Sequence, residues 1–219
     1  MSVKIYIDYI SQPSRAVLAY CKFTKIPFQP VEIRLNKKMH LTEDYKKINP
    51  LQKVPALDDN GFILTESHAI MTYLARRFDV EEPLYPKDPQ KRARVDSYLH
   101  WHHNNTRTLS RLYQLRFKQF LPYEIHYIPE VEEENAKKVL TTIDQVLLKD
   151  KKFIADKENM TIADISAVCE LNQLEMLDYD ISAYKNVKRW IDEVMSHKEM
   201  QEAHETFFKL SALSKSKKA

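Results

Sequence analysis

A single glycine, Gly61, serves all 219 residues of the chain. Phosphate-cradling loops of the GxGxxG or GxxxxGK type need several glycines for their tight turns, so nucleotide enzymes built on such loops are excluded. The one glycine follows Asn60, and both residues tolerate a positive φ. Asn60-Gly61, set between Ala56-Leu57-Asp58 and Phe62-Ile63-Leu64, therefore predicts a two-residue β-hairpin.

Immediately before that hairpin stands Lys53-Val54-Pro55-Ala56-Leu57. A proline between an extended approach and a short strand is a candidate for a cis X-Pro bond, because the proline amide greatly reduces the trans preference. Such a turn leaves the Val54 N–H and C=O without intrachain partners. A small extended peptide can pair with both and add itself to the sheet edge. Twelve residues after Pro55, Ser67 opens a helix with apolar positions Ile70, Met71, Leu74, Ala75 and Phe78. The first turn of that helix offers unpaired N–H groups at a positive dipole end, where a carboxylate docks and a serine hydroxyl adds a donor. Plainer readings exist: Thr65 or Ser67 as a simple N-cap, and Val54-Pro55 as an ordinary turn. Both features falling within fifteen residues favour a peptide-binding site.

The chain is long enough to bury a core without covalent staples. Its two cysteines, Cys21 and Cys169, lie far apart within apolar helical patterns, so buried reduced thiols and a reducing cytoplasmic location are expected. Met1–Ile10 contains Lys4 and Asp8 and lacks a signal-type apolar core, and no segment approaches the ~20 apolar residues of a membrane span. A net charge of +3 from 34 basic and 31 acidic residues makes no electrostatic case for nucleic acid. The tail Lys215-Ser216-Lys217-Lys218-Ala219 reads as a frayed basic terminus.

Along the first eighty residues the order is strand, helix, strand, short helical segment, hairpin, helix. Val3–Ile7 and Phe28–Ile33 are strands rich in β-formers, and Pro13 suits the first turn of the helix between them. This βαβ-α-ββα order predicts a thioredoxin-like sheet with helices on its faces. Pro83, Pro86 and Pro89 among charges mark residues 80–89 as a linker between a domain of residues 1–79 and an all-helical domain of residues 90–219. In the second domain Ala136, Val139, Leu140, Ile143, Val146 and Leu147 form one apolar stripe, and Val187, Trp190, Ile191, Val194 and Met195 another. Thr161-Ile162-Ala163-Asp164 is a capping box with Asp at its fourth position, flanked by a Met160–Ile165 staple, and the helix it starts should be the central one. Asp96, His100 and His103 share a helical face compatible with a metal, but with no fourth ligand nearby they read as ordinary hydrogen-bonded residues, and no metal is expected.

Several stretches, read together, resemble the theta class of the glutathione transferases. They are Ser11-Gln12-Pro13-Ser14-Arg15-Ala16-Val17, Asn49-Pro50-Leu51-Gln52-Lys53-Val54-Pro55-Ala56-Leu57, Leu64-Thr65-Glu66-Ser67, Ala93-Arg94-Val95-Asp96 and Gln201-Glu202-Ala203-His204-Glu205. The resemblance implies a transferase that conjugates glutathione, as co-substrate, to small electrophiles such as alkyl or aryl halides, acting in detoxification as a homodimer. Ser11 matches the family's catalytic serine, whose hydroxyl donates to the glutathione sulfur; capping the first helix is its plainer role. Tyr9 and Tyr6 lie where other classes keep a tyrosine donor.

The resemblance further assigns His40, Lys53, Val54, Glu66 and Ser67 to glutathione binding. Val54 pairs with the cysteinyl unit, Glu66 and Ser67 hold the γ-glutamyl end, and His40 and Lys53 face the glycyl carboxylate. Arg107 matches a position facing the electrophile pocket, and Asn104, Arg107 and Arg111 share a face by their spacing, a pattern also common on solvated surfaces. The chain stops soon after Leu213, which implies a more open pocket than in theta enzymes with a longer C-terminal segment. The competing functions are a non-catalytic glutathione or hydrophobic-ligand binder of the same fold, and an interaction module of the kind attached to translation or assembly proteins.

Overall fold

A computed structural model describes residues 2–80, 83–121 and 124–216 of the chain. Val3–Ile7 (β1) alternates inward and outward, and Val3, Ile5 and Ile7 bury completely. Gln12–Thr24 (α1) returns the chain so that Phe28–Glu32 (β2) lies parallel to β1, with Val3 opposite Phe28 and Ile7 opposite Glu32. Two 3₁₀ turns, Leu35–Lys37 and Met39–Leu41, and the short helix Glu43–Ile48 (α2) lead to Ala56–Asp59 (β3) and Phe62–Thr65 (β4). The sheet order is β2-β1-β3-β4, antiparallel from β1 onward. Asn60 (φ 55°) and Gly61 (φ 92°) make the hairpin turn, and Asp58 accepts the Gly61 N–H at 2.7 Å. This is the expected thioredoxin-like domain with a mixed four-stranded sheet.

Ser67–Arg77 (α3) covers the sheet with Ile70, Met71, Leu74 and Ala75. Within α1, Ser14 to Cys21 are all buried, an unusual breadth for a helix on a sheet face. The reason is its second neighbour: α1 also packs on two helices of the following domain, Ile162–Leu171 (α7) and Lys198–Ser216 (α10). Cys21 and Cys169 are free and buried on α1 and α7, and burial pushes each thiol up to about 12.

Between the domains, Leu84 accepts the Ile162 N–H at 2.9 Å and the buried Tyr85 donates to Asp96 at 2.9 Å. Two residues of the expected linker, Glu81 and Glu82, lie outside the described residues, as do Lys217–Ala219 of the expected tail. Lys215 is not frayed: it closes α10 and pairs with Glu175 at 2.7 Å and Asp178 at 3.0 Å, because α10 docks beside the short helix Gln173–Met176 (α8).

The second domain is helical, with Pro89–Asn104 (α4), Leu109–Arg116 (α5), Pro129–Thr142 (α6), α7, α8, Lys185–Met195 (α9) and α10. Every residue of α7 is buried, which makes it the domain's central helix. Its capping box forms in both directions, and the Asp164 carboxylate also accepts the Ile154 N–H at 2.8 Å and the Trp190 indole N–H at 3.0 Å. A buried carboxylate is tolerated there because each oxygen has donors. One apolar stripe differs from expectation. Ile143–Leu147 forms a π-turn after α6, and its wider winding rotates Val146 out to 66% exposure while Leu148 turns inward. The same turn aims the buried Asp144 at the start of α9, where it accepts the N–H groups of Asn186 and Val187 at 2.8 and 3.1 Å. Among the described residues, no helix is long and apolar enough to cross a membrane.

Candidate functional site

A cleft of about 220 Å³ opens between the two domains. One wall comes from the loop before β3, the β4–α3 junction and the start of α1. The other comes from α4, the 3₁₀ turn Thr106–Thr108 and α7. Of the residues expected to bind a ligand, Lys53, Val54, Glu66, Ser67 and Arg107 line it together.

The loop that presents Val54 is organised by Asn49, which is buried at the end of α2. Asn49 donates to the Lys53 carbonyl at 2.7 Å and accepts the Leu51 N–H at 3.0 Å, while Tyr45 donates its hydroxyl to the same Lys53 carbonyl at 2.7 Å. With that carbonyl held, Val54 follows in a fixed orientation. The Val54-Pro55 bond is cis, and neither the N–H nor the C=O of Val54 has a hydrogen-bond partner among the described residues.

At the other end of the same wall, Glu66 occupies the N-cap position of α3 with φ at 67°, a left-handed conformation that is uncommon for a residue with a side chain. That conformation turns the chain sharply from β4 into the helix. Ser67 is consequently the first helical residue rather than the cap, and at 9% exposure it lines the cleft. The first-turn N–H groups of α3 lack intrahelical acceptors, so this end of the cleft is suited to a carboxylate.

Ser11 sits at the N-cap position of α1, yet its side chain makes no capping bond. It is 9% exposed, and its neighbours Gln12 and Pro13 line the cleft. The backbone around it is held tightly. Asp8 accepts the Ile10 N–H at 2.7 Å, and the buried Arg15 guanidinium donates to the Ile10 carbonyl. Tyr6 packs edge-on against Tyr45 at 6.1 Å, and Tyr9 is partly buried against the core.

Four expected site residues do not line this cleft: Ser11, whose neighbours Gln12 and Pro13 do, and His40, Asn104 and Arg111. His40 belongs to the 3₁₀ turn Met39–Leu41, where partial burial lowers its imidazole below the ordinary 6.5, opposed by Asp8. Asn104 is exposed at the end of α4. Arg111 turns to α6, pairing with Glu132 at 3.4 Å and lying over Tyr127. The spacing of Asn104, Arg107 and Arg111 implied one helical face, but α4 ends at Asn104 and the 3₁₀ turn Thr106–Thr108 breaks that face before α5 begins.

The floor of the cleft holds groups that spacing did not reveal. Glu170 on α7 is 1% exposed, and it accepts Arg107 at 2.9 Å, Gln12 at 3.1 Å and Gln173 at 2.7 Å. Burial pushes its carboxyl up, while the Arg107 charge and the amide donors pull it back. His68 bonds Ser166 across the domains at 2.6 Å, and its ring lies 4.9 Å from those of both His102 and His103. Burial, then the neighbouring His103 and Arg107, lowers His68 to about 3, and His102 falls well below its ordinary range for similar reasons. Among the described residues, no group of three or more His, Cys, Asp or Glu side chains is arranged to hold a metal ion. One mark of this floor was legible: Glu170 is the one charged residue in the run Ile165–Leu171, whose other members are apolar except Ser166.

Comparison with known proteins agrees with the architecture. The description "Glutathione S-transferase, N-terminal domain" matches residues 1–76, and "Glutathione S-transferase, C-terminal domain" matches residues 119–198. Glutathione S-transferase T1 of Arabidopsis thaliana is 40% identical across 96% of this chain and 91% of its own length. Glutathione S-transferase T3 of the same plant is also 40% identical across 95% of this chain, which spans only 38% of that longer relative. Among solved structures, the human theta-class glutathione transferase in complex with the glutathione conjugate of 1-menaphthyl sulfate superposes with a TM-score of 0.89 at 31% identity, covering 100% of this chain and 92% of that one.

The buried histidines make acid sensitivity testable. His68, His102 and His204 are all depressed below 6.5, so each is neutral in the fold and binds a proton on unfolding. The stability they confer is complete above about 6.5 and is lost as pH falls, by about 1.4 kcal/mol per pH unit for each histidine. Replacing His204, which stacks on Phe208 at 5.6 Å, by His204→Phe should flatten the slope of urea-derived stability between about pH 6 and pH 5 by roughly that amount. An unchanged slope would mean that His204 is not held neutral.

Proposed function

The chain belongs to the glutathione S-transferase family, with theta-class relatives, and from that premise we propose that it activates glutathione as a thiolate through the Ser11 hydroxyl and transfers it to small electrophiles such as alkyl or aryl halides. The observation that carries this reading is one cleft wall on which the unpaired backbone of Val54, the open first turn of α3 at Ser67 and the start of α1 beside Ser11 come together. A γ-glutamyl carboxylate at Ser67 and an extended cysteinyl unit against Val54 use the groups left free there. Glu66 is assigned the γ-glutamyl ammonium, and His40 and Lys53 the glycyl carboxylate.

Chemistry then follows from charge. A serine hydroxyl is no base; it donates to the sulfur and favours the anion. Lowering a thiol from about 8.5 by two units requires only ~2.7 kcal/mol, within reach of one charge-assisted hydrogen bond and a nearby helix N-terminus. The thiolate attacks carbon, a C–S bond forms, and halide leaves with the bonding pair, the thiol proton having gone to solvent. The free hydroxyl of Ser11 is what supports this role over capping. Arg107 is half-exposed to the cleft with its charge already paired to Glu170, so it is assigned to hold the electrophile end rather than to act as an unopposed anion receptor. A detoxifying role in the cytoplasm completes the proposal.

Ser11→Ala should lower turnover about tenfold for each unit by which the bound thiol becomes less acidic, with glutathione affinity little changed and part of the rate returning at high pH. Tyr9→Phe should leave rate and pH dependence near the parent's. Steady-state kinetics across pH decides: loss in the tyrosine variant with none in the serine variant would refute the serine assignment, and glutathione binding without turnover in the parent would favour the ligand-binder reading.

The proposed assembly is a homodimer with the glutathione site beside the interface. Its support, beyond family membership, is the edge strand β4, where Phe62 and Ile63 are exposed. Sedimentation at micromolar concentration should give twice the chain mass; a fully active monomer would remove the claim.

A further inference from the structure

We propose that Glu170 is a positioning residue for Ser11: its buried carboxylate ties Gln12, the residue next to the serine, to the helical domain. The proposal rests on the serine reading above and adds what holds the serine in place.

Three hydrogen bonds and one peptide unit make the argument. Gln12 donates to Glu170 Oε1 at 3.1 Å, and Gln173 donates to the same oxygen at 2.7 Å. Arg107 donates to Oε2 at 2.9 Å, with His102 Nε2 a further 3.9 Å from that oxygen. Both carboxylate oxygens are therefore engaged, and the Gln12 side chain is the only one of these donors that belongs to the thioredoxin-like domain. One residue earlier along α7, the Cys169 carbonyl accepts Arg15 Nη2 at 2.9 Å. Arg15 also holds the Ile10 carbonyl, while Asp8 holds the Ile10 N–H. Ser11 thus lies between an Ile10 peptide gripped on both sides and a Gln12 side chain gripped at its end, and its own hydroxyl makes no bond among the described residues.

An unanchored hydroxyl is of use to a sulfur only if the backbone carrying it cannot wander. Asp8 fixes the serine within its own domain; Arg15 and Gln12 fix it to α7. Of the α7 contacts, the one to Cys169 uses a main-chain carbonyl that any residue would supply, whereas the one to Glu170 needs this side chain. A full negative charge in the floor of a cleft is expensive to bury unless it is paired and hydrogen-bonded. Its place on a fully buried helix, with donors from both walls of the cleft, points to a task at that spot. The task consistent with its partners is to lock the first turn of α1, and with it the serine, against the domain that forms the other wall.

A merely structural carboxylate would, on removal, weaken folding and glutathione binding together. A positioning residue acting through Ser11 behaves differently, and kinetics of the full chain separate the two. Glu170→Gln should lower kcat on the order of tenfold, leave KM for glutathione within about twofold, and move the acid limb of the kcat–pH profile upward by about one unit. The same substitution in a Ser11→Ala background should change kcat by less than about twofold, because the group it positions is gone. Gln12→Ala, which cuts the tether without disturbing the buried charge, should repeat the pattern in smaller measure and decides the matter alone if Glu170→Gln does not fold. Equal losses in both backgrounds, or a fall in glutathione affinity without one in kcat, would overturn the proposal. If Ser11→Ala itself keeps full turnover, the serine reading has failed; if only the Glu170 and Gln12 variants are silent, the positioning role alone has failed.

Discussion

A positive charge buried between two domains is the constraint on which the rest of this molecule depends. Arg15 is completely buried on α1, donates to Ile10 on one side and Cys169 on the other, and lies 4.1 Å over the Phe207 ring of α10. Burial lowers its guanidinium only to about 10, with the nearby Cys169, Glu170, Tyr113 and Asp8 opposing the penalty, so it stays charged at neutral pH. Removing a partner from such a charge leaves it uncompensated, which costs several kcal/mol. The two domains are consequently not free bodies joined by a proline-rich linker. They share α1, and the cleft at their junction inherits the rigidity of that shared helix.

Much of the sheet domain was legible because its features are local. Asn60-Gly61 needs only its own backbone freedom to turn, and the alternation of Val3, Ile5 and Ile7 needs only one buried face. The capping box at Thr161 was equally readable, since its bonds span only two and three residues. What failed was phase. Nothing in the pattern Ala136–Leu147 reveals that Asp144 reaches for the start of α9 and opens a π-turn, so Val146 was assigned to the wrong side. The break between α4 and α5 separated Asn104, Arg107 and Arg111 in the same way, because a 3₁₀ turn resets the face that regular spacing assumes.

The candidate site was legible in one half only. Val54, Glu66 and Ser67 owe their place to main-chain geometry that short motifs encode, and they line one wall together. Glu170, His68, His102 and Ser166 come from three separate helices, and only tertiary packing brings them to one floor. Gln12 stood in plain view beside Ser11, but its partner lies 158 residues away, so its tether could not be inferred from sequence. The long-range bonds hidden from the sequence are those that tie Gln12 and Arg15, in the first turn of α1 after Ser11, to the opposite wall.

The central claim is that the protein holds glutathione as a thiolate at neutral pH by means of a fixed hydroxyl. Spectrophotometric titration of the bound thiol reads this without any electrophile or turnover. The account predicts an apparent pKa about two units below the ordinary thiol value of about 8.5, returning most of the way to it in Ser11→Ala. A bound thiol that titrates like free glutathione in the parent protein, with tight binding intact, would contradict it.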